Sequence, residues 1–340
     1  MYTHTLKMFY MNFVMLRFIA FRFQTSTTMN SMFSYEKVVV KEGYGKSKPN
    51  EFSECHILLC VQQPEQQASS DAVSSIGYEL NREIKVVIGH GTTHVACTVD
   101  LCVLTMFEGE QCRLQTKCSS AVSAAADTEF LTLEVTLLSL FAANDLHTTS
   151  HQEKLMRAIT LKDIGTSAFV AGNISAAFHK FSRSLKYLIC AAVDNDKSCT
   201  GDNSLSNGTS SDDSSHPVLL ANGGALDQNM CNLTCEDIAQ LTCHCWLNLA
   251  ACQLRYQNFK MAAANCSKAL EIDPNNVKGL FRRAQCNMNT GCEHIAVTDL
   301  KRALTLEPGN REVMRLLNAA QRLSRESDDK LASAMSKMFQ

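Results

Sequence analysis

The feature that most restricts the fold of this chain is a pattern of apolar and small residues that recurs every 34 residues in the C-terminal half, the spacing of a stacked helical hairpin. Alanine allows two helices to approach closely, and proline cannot continue a helix. The pattern therefore predicts successive pairs of helices. The aligned positions are Trp246 with Leu280, Ala250 with Ala284, Ala262 with Ala296, Ala269 with Ala303, and Pro274 with Pro308.

An upstream segment carries the same pattern and completes a minimal array. Three units are enough to stack a continuous core. The period resembles that of tetratricopeptide (TPR) repeats, which implies an all-α TPR superhelix over residues 150–340. We place repeat 1 at about 158–190, repeat 2 at 243–276, repeat 3 at 277–310 and a capping helix at 311–340. The equivalent positions of the first unit are Leu161, Gly165, Ala168, Gly172, Ala177 and Phe181.

An insertion at about 191–233 separates the first two units. Its stretch from Asp194 to Asn229 is rich in Ser, Asn, Asp and Gly and cannot bury enough apolar surface to become ordered. We expect a long mobile loop. After Pro308, apolar residues at helical spacing over 312–323 and 331–339 predict the capping element.

Bulk composition excludes several classes of protein. A formal net charge of -2 provides no basic field for nucleic acid or an anionic membrane, so we expect neither partner. The 16 cysteines are scattered through apolar helical stretches and include no CxxC pair, which predicts reduced core thiols. The tightest group, Cys231, Cys235, Cys243, His244 and Cys245, lacks the spacing of zinc ligands. We expect no metal and no cofactor.

The first 35 residues form an extension of a different composition. They contain Lys7, Arg17 and Arg22, and no acidic residue precedes Glu36. Such a composition is typical of a mitochondrial transit peptide, but an upstream stretch before a start at Met29 or Met32 explains it equally well. We expect a cytoplasmic protein, with the nucleus as a second location, unless residues 1–35 are a genuine transit peptide.

The first helix of each TPR unit lines the concave face of an array, and five polar residues occupy equivalent places there. They are Lys162 and Thr166 in the first unit, Asn248 in the second, and Lys278 and Arg282 in the third. Lysine supplies a point charge, arginine a planar fork, and an amide can hold a peptide backbone. Taken singly, such charges are usually just solvated. Together they predict a clamp for a peptide's terminal carboxylate and acidic side chains.

These positions resemble the carboxylate clamp of co-chaperones that bind the Met-Glu-Glu-Val-Asp tail of heat-shock protein 90. Lys162, Asn248, Lys278 and Arg282 agree with that clamp. Thr166 departs from it, because an asparagine is usual there and a hydroxyl has one donor where an amide has two. The resemblance implies the heat-shock protein 90 tail as a partner, with lower affinity or an altered preference among chaperone tails.

The segment 36–141 has a β-strand pattern. Alternating or β-branched character predicts a short helix at Thr98–Met106 and strands at Lys37–Lys41, Cys55–Val61, Ile84–Ile88, Gln111–Thr116 and Phe130–Leu140. A sheet wrapped on one helix and followed by TPR units resembles the FKBP immunophilins, which implies an α+β two-domain chain with an FKBP-like antiparallel β-sheet. The motifs that carry this resemblance are Glu42–Gly45, Val86–Gly89, Phe107–Glu110 and Leu133–Leu138.

The residues that make an FKBP an isomerase are missing here. The resemblance implies an aromatic proline pocket floored by tryptophan, yet this domain contains no tryptophan. Val99 stands at the floor position, Leu59 at that of a strand tyrosine, and Ser74 and Ser75 near that of a Phe-Asp pair. Residues 119–127 replace the proline-bearing loop. Without the aromatic floor and walls of the proline pocket, nothing lowers the barrier of ~20 kcal/mol to rotation about the prolyl peptide bond. We therefore expect no catalysis.

The sequence thus predicts a non-catalytic co-chaperone adaptor that links the heat-shock protein 90 tail to unidentified client proteins. Two alternatives stay open. One is a TPR scaffold that does not depend on chaperone tails, with Thr166 marking a decayed clamp. The other is a weak peptidyl-prolyl cis-trans isomerase with an unrecognised pocket.

Overall fold

The computed structural model describes residues 33–62, 76–117, 130–199 and 234–338. Contacts divide the chain into two units. The N-terminal unit comprises Met1–Thr148 and Thr160–Arg183, and the C-terminal unit comprises Thr149–Ile159 and Ser184–Gln340. The first helical pair is therefore shared between the units.

Within the described residues of the N-terminal unit, five strands form one antiparallel sheet in the order β1-β4-β5-β2-β3. Alternate residues of β5, such as Leu133 and Val135, are fully buried. The predicted sheet is confirmed, with strand ends within two residues of those expected. The strands are β1 Tyr35–Lys41, β2 Glu54–Val61, β3 Glu83–Val87, β4 Gln111–Lys117 and β5 Phe130–Phe141.

Helix α1, His94–Val103, packs one face against this sheet. The predicted start at Thr98 is wrong by four residues. The helix begins earlier because the Thr93 side chain accepts a hydrogen bond of 3.0 Å from the amide of Ala96 and caps the first turn. It ends at Val103, short of the predicted Met106, and most of its residues are buried in the core.

The helical part of the chain confirms the prediction of paired helices and a capping helix. The repeated alanines, including Ala250, Ala284, Ala262 and Ala296, are all completely buried. Helix α3 extends into the stretch predicted as an insertion, and residues 200–233 lie outside the described part. The helices are α2 His151–Val170, α3 Ile174–Cys199, α4 Cys235–Arg255, α5 Phe259–Ile272, α6 Val277–Asn289, α7 Glu293–Leu306 and α8 Arg311–Met338.

Each helix from α4 to α8 in the C-terminal unit packs on the next. An ion pair supports the apolar contacts: the Arg283 guanidinium donates to both carboxylate oxygens of Asp299, at 2.8 and 2.7 Å. Asp299 is buried, so this bidentate pair joins α6 to α7 in a defined register. No helix in the described part of the chain combines the length and apolar content needed to cross a lipid bilayer.

A buried ion pair lies within the N-terminal unit, between α1 and α3. Lys180 is fully buried and its Nζ lies 3.9 Å from Oδ2 of Asp100. Asp100 also accepts hydrogen bonds from the Tyr78 hydroxyl at 2.7 Å and from the amides of Gly89 and Gly91 at 3.1 Å each. Burial raises the pKa of the Asp100 carboxyl, and the Lys180 charge and these hydrogen bonds oppose that rise. The carboxylate is therefore stabilised by four neighbours.

Two histidines near this pair are held neutral. Burial, together with the positive charge of Lys180, lowers the pKa of His90 to about 4 and that of His179 to about 3. The ring of His179 meets that of Phe33 edge-on, with centroids 5.5 Å apart. The segment 160–183 is thus joined to α1 through a core that is partly polar.

Replacing Lys180 by Met should lower the free energy of unfolding of the N-terminal unit by about 3–5 kcal/mol, because Asp100 would remain buried without its counter-charge. Hydrogen–deuterium exchange at the buried amides of β2 and β5 measures the change. Adding Asp100→Asn should recover part of the loss.

The matched control is Lys85→Met. This change removes the exposed ion pair between Lys85 and Glu54, whose charged atoms lie 2.7 Å apart, and should cost less than about 1 kcal/mol. Equal losses for the two lysine variants would contradict the importance of the buried pair.

Candidate peptide-binding site

Two of the five predicted clamp residues, Lys162 and Thr166, lie on α2 in the N-terminal unit. The Lys162 ammonium is 2.7 Å from Oδ1 of Asp163, the next residue in the chain. The Thr166 hydroxyl donates to the carbonyl oxygen of Lys162 at 2.9 Å. An acidic ligand would therefore have to compete with Asp163 for this lysine. It would also have to replace the hydrogen bond that the Thr166 hydroxyl already donates.

The other three predicted clamp residues lie on α4 and α6 of the C-terminal unit. Arg282, on α6, donates from Nη1 to the carbonyl oxygen of Leu247 on α4 at 2.8 Å. Asn248 follows Leu247 on the same helix and is half-buried. Lys278 lies one helical turn before Arg282, and it is exposed.

Among the described residues, Lys278 and Arg282 on α6 have no carboxylate partner, whereas their neighbour Arg283 has one. Arg283 is fully engaged with Asp299, whereas no carboxylate in the described residues lies within ion-pair distance of Lys278 or Arg282. Burial lowers the pKa of Arg282 from its ordinary value, and the nearby thiols of Cys266 and Cys252 oppose this. A guanidinium nevertheless stays charged at neutral pH.

The arrangement on α4 and α6 is suited to holding a carboxylate. Helix α6 carries an ammonium and a guanidinium fixed at one nitrogen by a backbone carbonyl, and α4 carries an amide. Fixing the guanidinium lowers the entropy lost when its remaining N–H groups bind a ligand. These side chains can hold an acidic group through charge and hydrogen bonds.

Two features of this site were missed in the sequence. The Leu247 carbonyl as an anchor for Arg282 leaves no trace in side-chain identity, because every residue has a carbonyl. The competition from Asp163 could have been predicted from the sequence, since this acidic residue directly follows the proposed clamp residue Lys162.

Two of the positions assigned to the isomerase pocket, Leu59 and Val99, lie in the interior. Leu59 and Val99 are 0% and 1% exposed and belong to the hydrophobic core between the sheet and α1. Ser74, Ser75 and residues 119–127 fall outside the described part of the chain. An open groove of about 650 Å³ runs along β3, but neither Leu59 nor Val99 is among its lining residues.

Comparison with known proteins agrees with this combination of elements, although no family model matches the chain. Peptidyl-prolyl cis-trans isomerase FKBP4 of Bos taurus is 26% identical over 306 residues, which are 88% of this chain and 56% of FKBP4. Human FK506-binding protein-like is 36% identical over 92 residues, covering 27% of this chain and 26% of that protein. These relatives are FKBP-type immunophilins. The predicted resemblance to that group is confirmed.

The chain spans about half the length of the FKBP4 proteins that it matches. Among solved structures, the C-terminal TPR-containing domain of a Plasmodium falciparum FK506-binding protein matches with a TM-score of 0.41 at 22% identity, covering 54% of this chain and 99% of that domain. A similarity at this level is too low to assign a fold or a ligand.

The two α6 cations should differ in their effect on stability. Arg282→Ala should lower the free energy of unfolding of the C-terminal unit by about 1.5–3 kcal/mol, because it removes a partly buried charged hydrogen bond that joins α6 to α4. Lys278→Ala should change it by less than about 0.5 kcal/mol, since that side chain is exposed. Urea titration followed by the fluorescence of Trp246, the only tryptophan, measures both. A loss for Lys278→Ala as large as that for Arg282→Ala would contradict this distinction.

Proposed function

We propose that this chain is a non-catalytic co-chaperone adaptor whose helical region binds the acidic C-terminal tail of heat-shock protein 90 and links it to client proteins. One observation carries the proposal: Lys278 and Arg282 stand one turn apart on α6 without a carboxylate partner in the described residues, and Arg282 is aimed by its bond to Leu247. An uncompensated pair of cations beside an amide favours an acidic ligand.

A C-terminal peptide tail that ends in acidic residues offers the complementary groups. It carries a terminal carboxylate and acidic side chains, and its backbone can pair with the Asn248 amide. Arginine forms planar two-point contacts with a carboxylate, and lysine adds a charge whose direction is flexible. The proposal does not rest on Lys162 and Thr166, which lie in the other unit and are already paired with Asp163 and the Lys162 carbonyl.

The same proposal assigns the sheet and α1 a role in binding clients rather than in catalysis. FKBP4 is named as an isomerase, but rotation about a prolyl bond needs a pocket that holds the twisted amide more tightly than the planar one. In this chain the floor position is the aliphatic Val99, which is enclosed in the core. A buried valine cannot contact a substrate proline.

Calorimetric titration of the full chain with a peptide ending in Met-Glu-Glu-Val-Asp should give a dissociation constant in the micromolar range, which corresponds to about -8 kcal/mol at 1 μM. Lys278→Glu should abolish binding, because it opposes the ligand's charge without disturbing packing. Lys278 is preferred to Arg282 for this test because its side chain has no structural hydrogen bond to lose.

Two controls define the mode of binding. Lys301→Ala removes an exposed lysine from α7 and should leave the affinity unchanged. The same peptide with an amidated C-terminus should bind at least roughly tenfold more weakly, since the terminal charge is the group being gripped. Failure of the wild-type chain to bind the free-acid peptide would contradict the proposal.

A second candidate is a TPR scaffold that binds partners without recognising chaperone tails. The pairing of Lys162 with Asp163 and of Thr166 with the Lys162 carbonyl favours it, because two of the five predicted clamp residues already have partners within the chain. Absence of peptide binding in the titration, with the chain correctly folded, supports this candidate instead.

No prolyl isomerisation should be detectable. The chain, tested on a proline-containing tetrapeptide at micromolar concentration, should leave the cis-to-trans rate at its uncatalysed value, because no described aromatic pocket surrounds Val99. Bovine FKBP4 in the same assay is the positive control. A rate that rises in proportion to the concentration of the chain would contradict the non-catalytic assignment.

A further inference from the structure

Three sulfur atoms lie together in the core of the N-terminal unit. The Sγ atoms of Cys102, in the last turn of α1, and Cys112, on β4, are 3.5 Å apart. The Sδ atom of Met106 lies 3.7 Å from the Sγ atom of Cys112. Both thiols are fully buried. Thiols this close need only a small side-chain movement to become bonded, and they join two different elements of the fold.

The two thiols are not equivalent. The hydrogen bond between the two thiols lowers the pKa of Cys112, although burial of that thiol opposes the effect, and the same bond raises the pKa of Cys102. The Lys37 ammonium favours the thiolate form of both cysteines, and the Glu110 carboxylate opposes it. Lys37 is held in place by Glu110, whose Oε1 is 2.6 Å away, and by Oγ1 of Thr105 at 2.9 Å. Cys112 is thus the better nucleophile, and Cys102 is placed to react second.

The edge strand β1 covers one side of the pair. Tyr35 and Lys37, both on β1, are neighbours of the two thiols, and both side chains are only partly buried. Strand β1 is at the edge of the sheet, is paired to β4 alone, and has an irregular register between Val39 and Lys41. Edge strands with an interrupted ladder open locally at a lower free energy than central strands.

We propose that Cys102 and Cys112 form a redox-active dithiol that a peroxide closes to a disulfide. The Cys112 thiolate attacks one oxygen of hydrogen peroxide, which breaks the O–O bond, leaves a sulfenic acid on Cys112 and releases hydroxide. The Cys102 thiol then loses its proton and attacks Sγ of Cys112, expelling hydroxide. In total, two thiols and one peroxide give one disulfide and two waters.

The bond would tie the C-terminal turn of α1 to β4 and close the chain between residues 102 and 112. Such a cross-link restricts the unfolded chain and should stabilise the N-terminal unit. Reduction by a dithiol would restore the original state. The N-terminal unit would therefore exist in a looser reduced form and a tighter oxidised form, independently of any ligand bound by the helices.

The test is to incubate the full chain with hydrogen peroxide, block free thiols under denaturing conditions, and digest with a protease that cleaves after glutamate. Glu108 and Glu110 lie between the two cysteines, so cleavage puts Cys102 and Cys112 on separate peptides. A disulfide will hold these two peptides together until it is reduced. We expect this linked pair as the first disulfide formed, and a rise in the midpoint of thermal unfolding that dithiothreitol reverses.

Three variants distinguish this reaction from general oxidation. Cys97→Ala, on the same helix, should leave the linked pair unchanged, and Cys102→Ala should abolish it. Lys37→Met, which keeps both thiols, should slow its formation by roughly threefold or more, because less thiolate is present. Free Cys102 and Cys112 under conditions that oxidise other cysteines of the chain would overturn the proposal, as would their appearance mainly in disulfides with other partners.

Discussion

The N-terminal unit depends on the burial of two opposite charges, Asp100 and Lys180. A carboxylate and an ammonium removed from water are tolerated only when each is close to compensating groups. Asp100 satisfies this requirement with two backbone amides from the turn before α1, the Tyr78 hydroxyl, and the ammonium of a residue 80 positions later. One side chain thus fixes the turn, orients α1 and holds the segment 160–183 in the same unit. The neutral state of His90 and His179 follows from the same environment.

Much of the helical part could be predicted from the sequence, because alanine and glycine at helix contacts leave a periodic signal. Gly165 is an example: a Cβ on it would lie 2.9 Å from the Phe181 ring, so its predicted place in a close helix contact has a direct steric reason. The start of α1 was misplaced since a single threonine cap outweighed the apolar pattern. The extent of α3 was missed because polar residues are compatible with either a loop or the end of a helix.

Interactions between distant residues could not be predicted in this way. Lys180 lies among polar residues of an amphipathic helix, where a lysine is ordinarily solvated, and nothing in its neighbourhood identifies a buried partner in another part of the chain. Arg282 and Arg283 are adjacent and chemically identical. Only the three-dimensional arrangement shows that Asp299 engages the second and a carbonyl engages the first. The resemblance to the FKBP group supplied the pocket positions, but not the finding that Leu59 and Val99 are sealed within the core.

On the function proposed above, the structural hydrogen bond of Arg282 has an evolutionary consequence. Since its guanidinium bonds the Leu247 carbonyl, selection for a folded helical region would retain an arginine here even in a descendant that no longer bound any tail. Lys278 is exposed and has no such second duty. Drift at position 278 would therefore be tolerated as soon as ligand recognition was lost. Among related chains, the residue at position 278 is the better record of whether a lineage still binds an acidic partner.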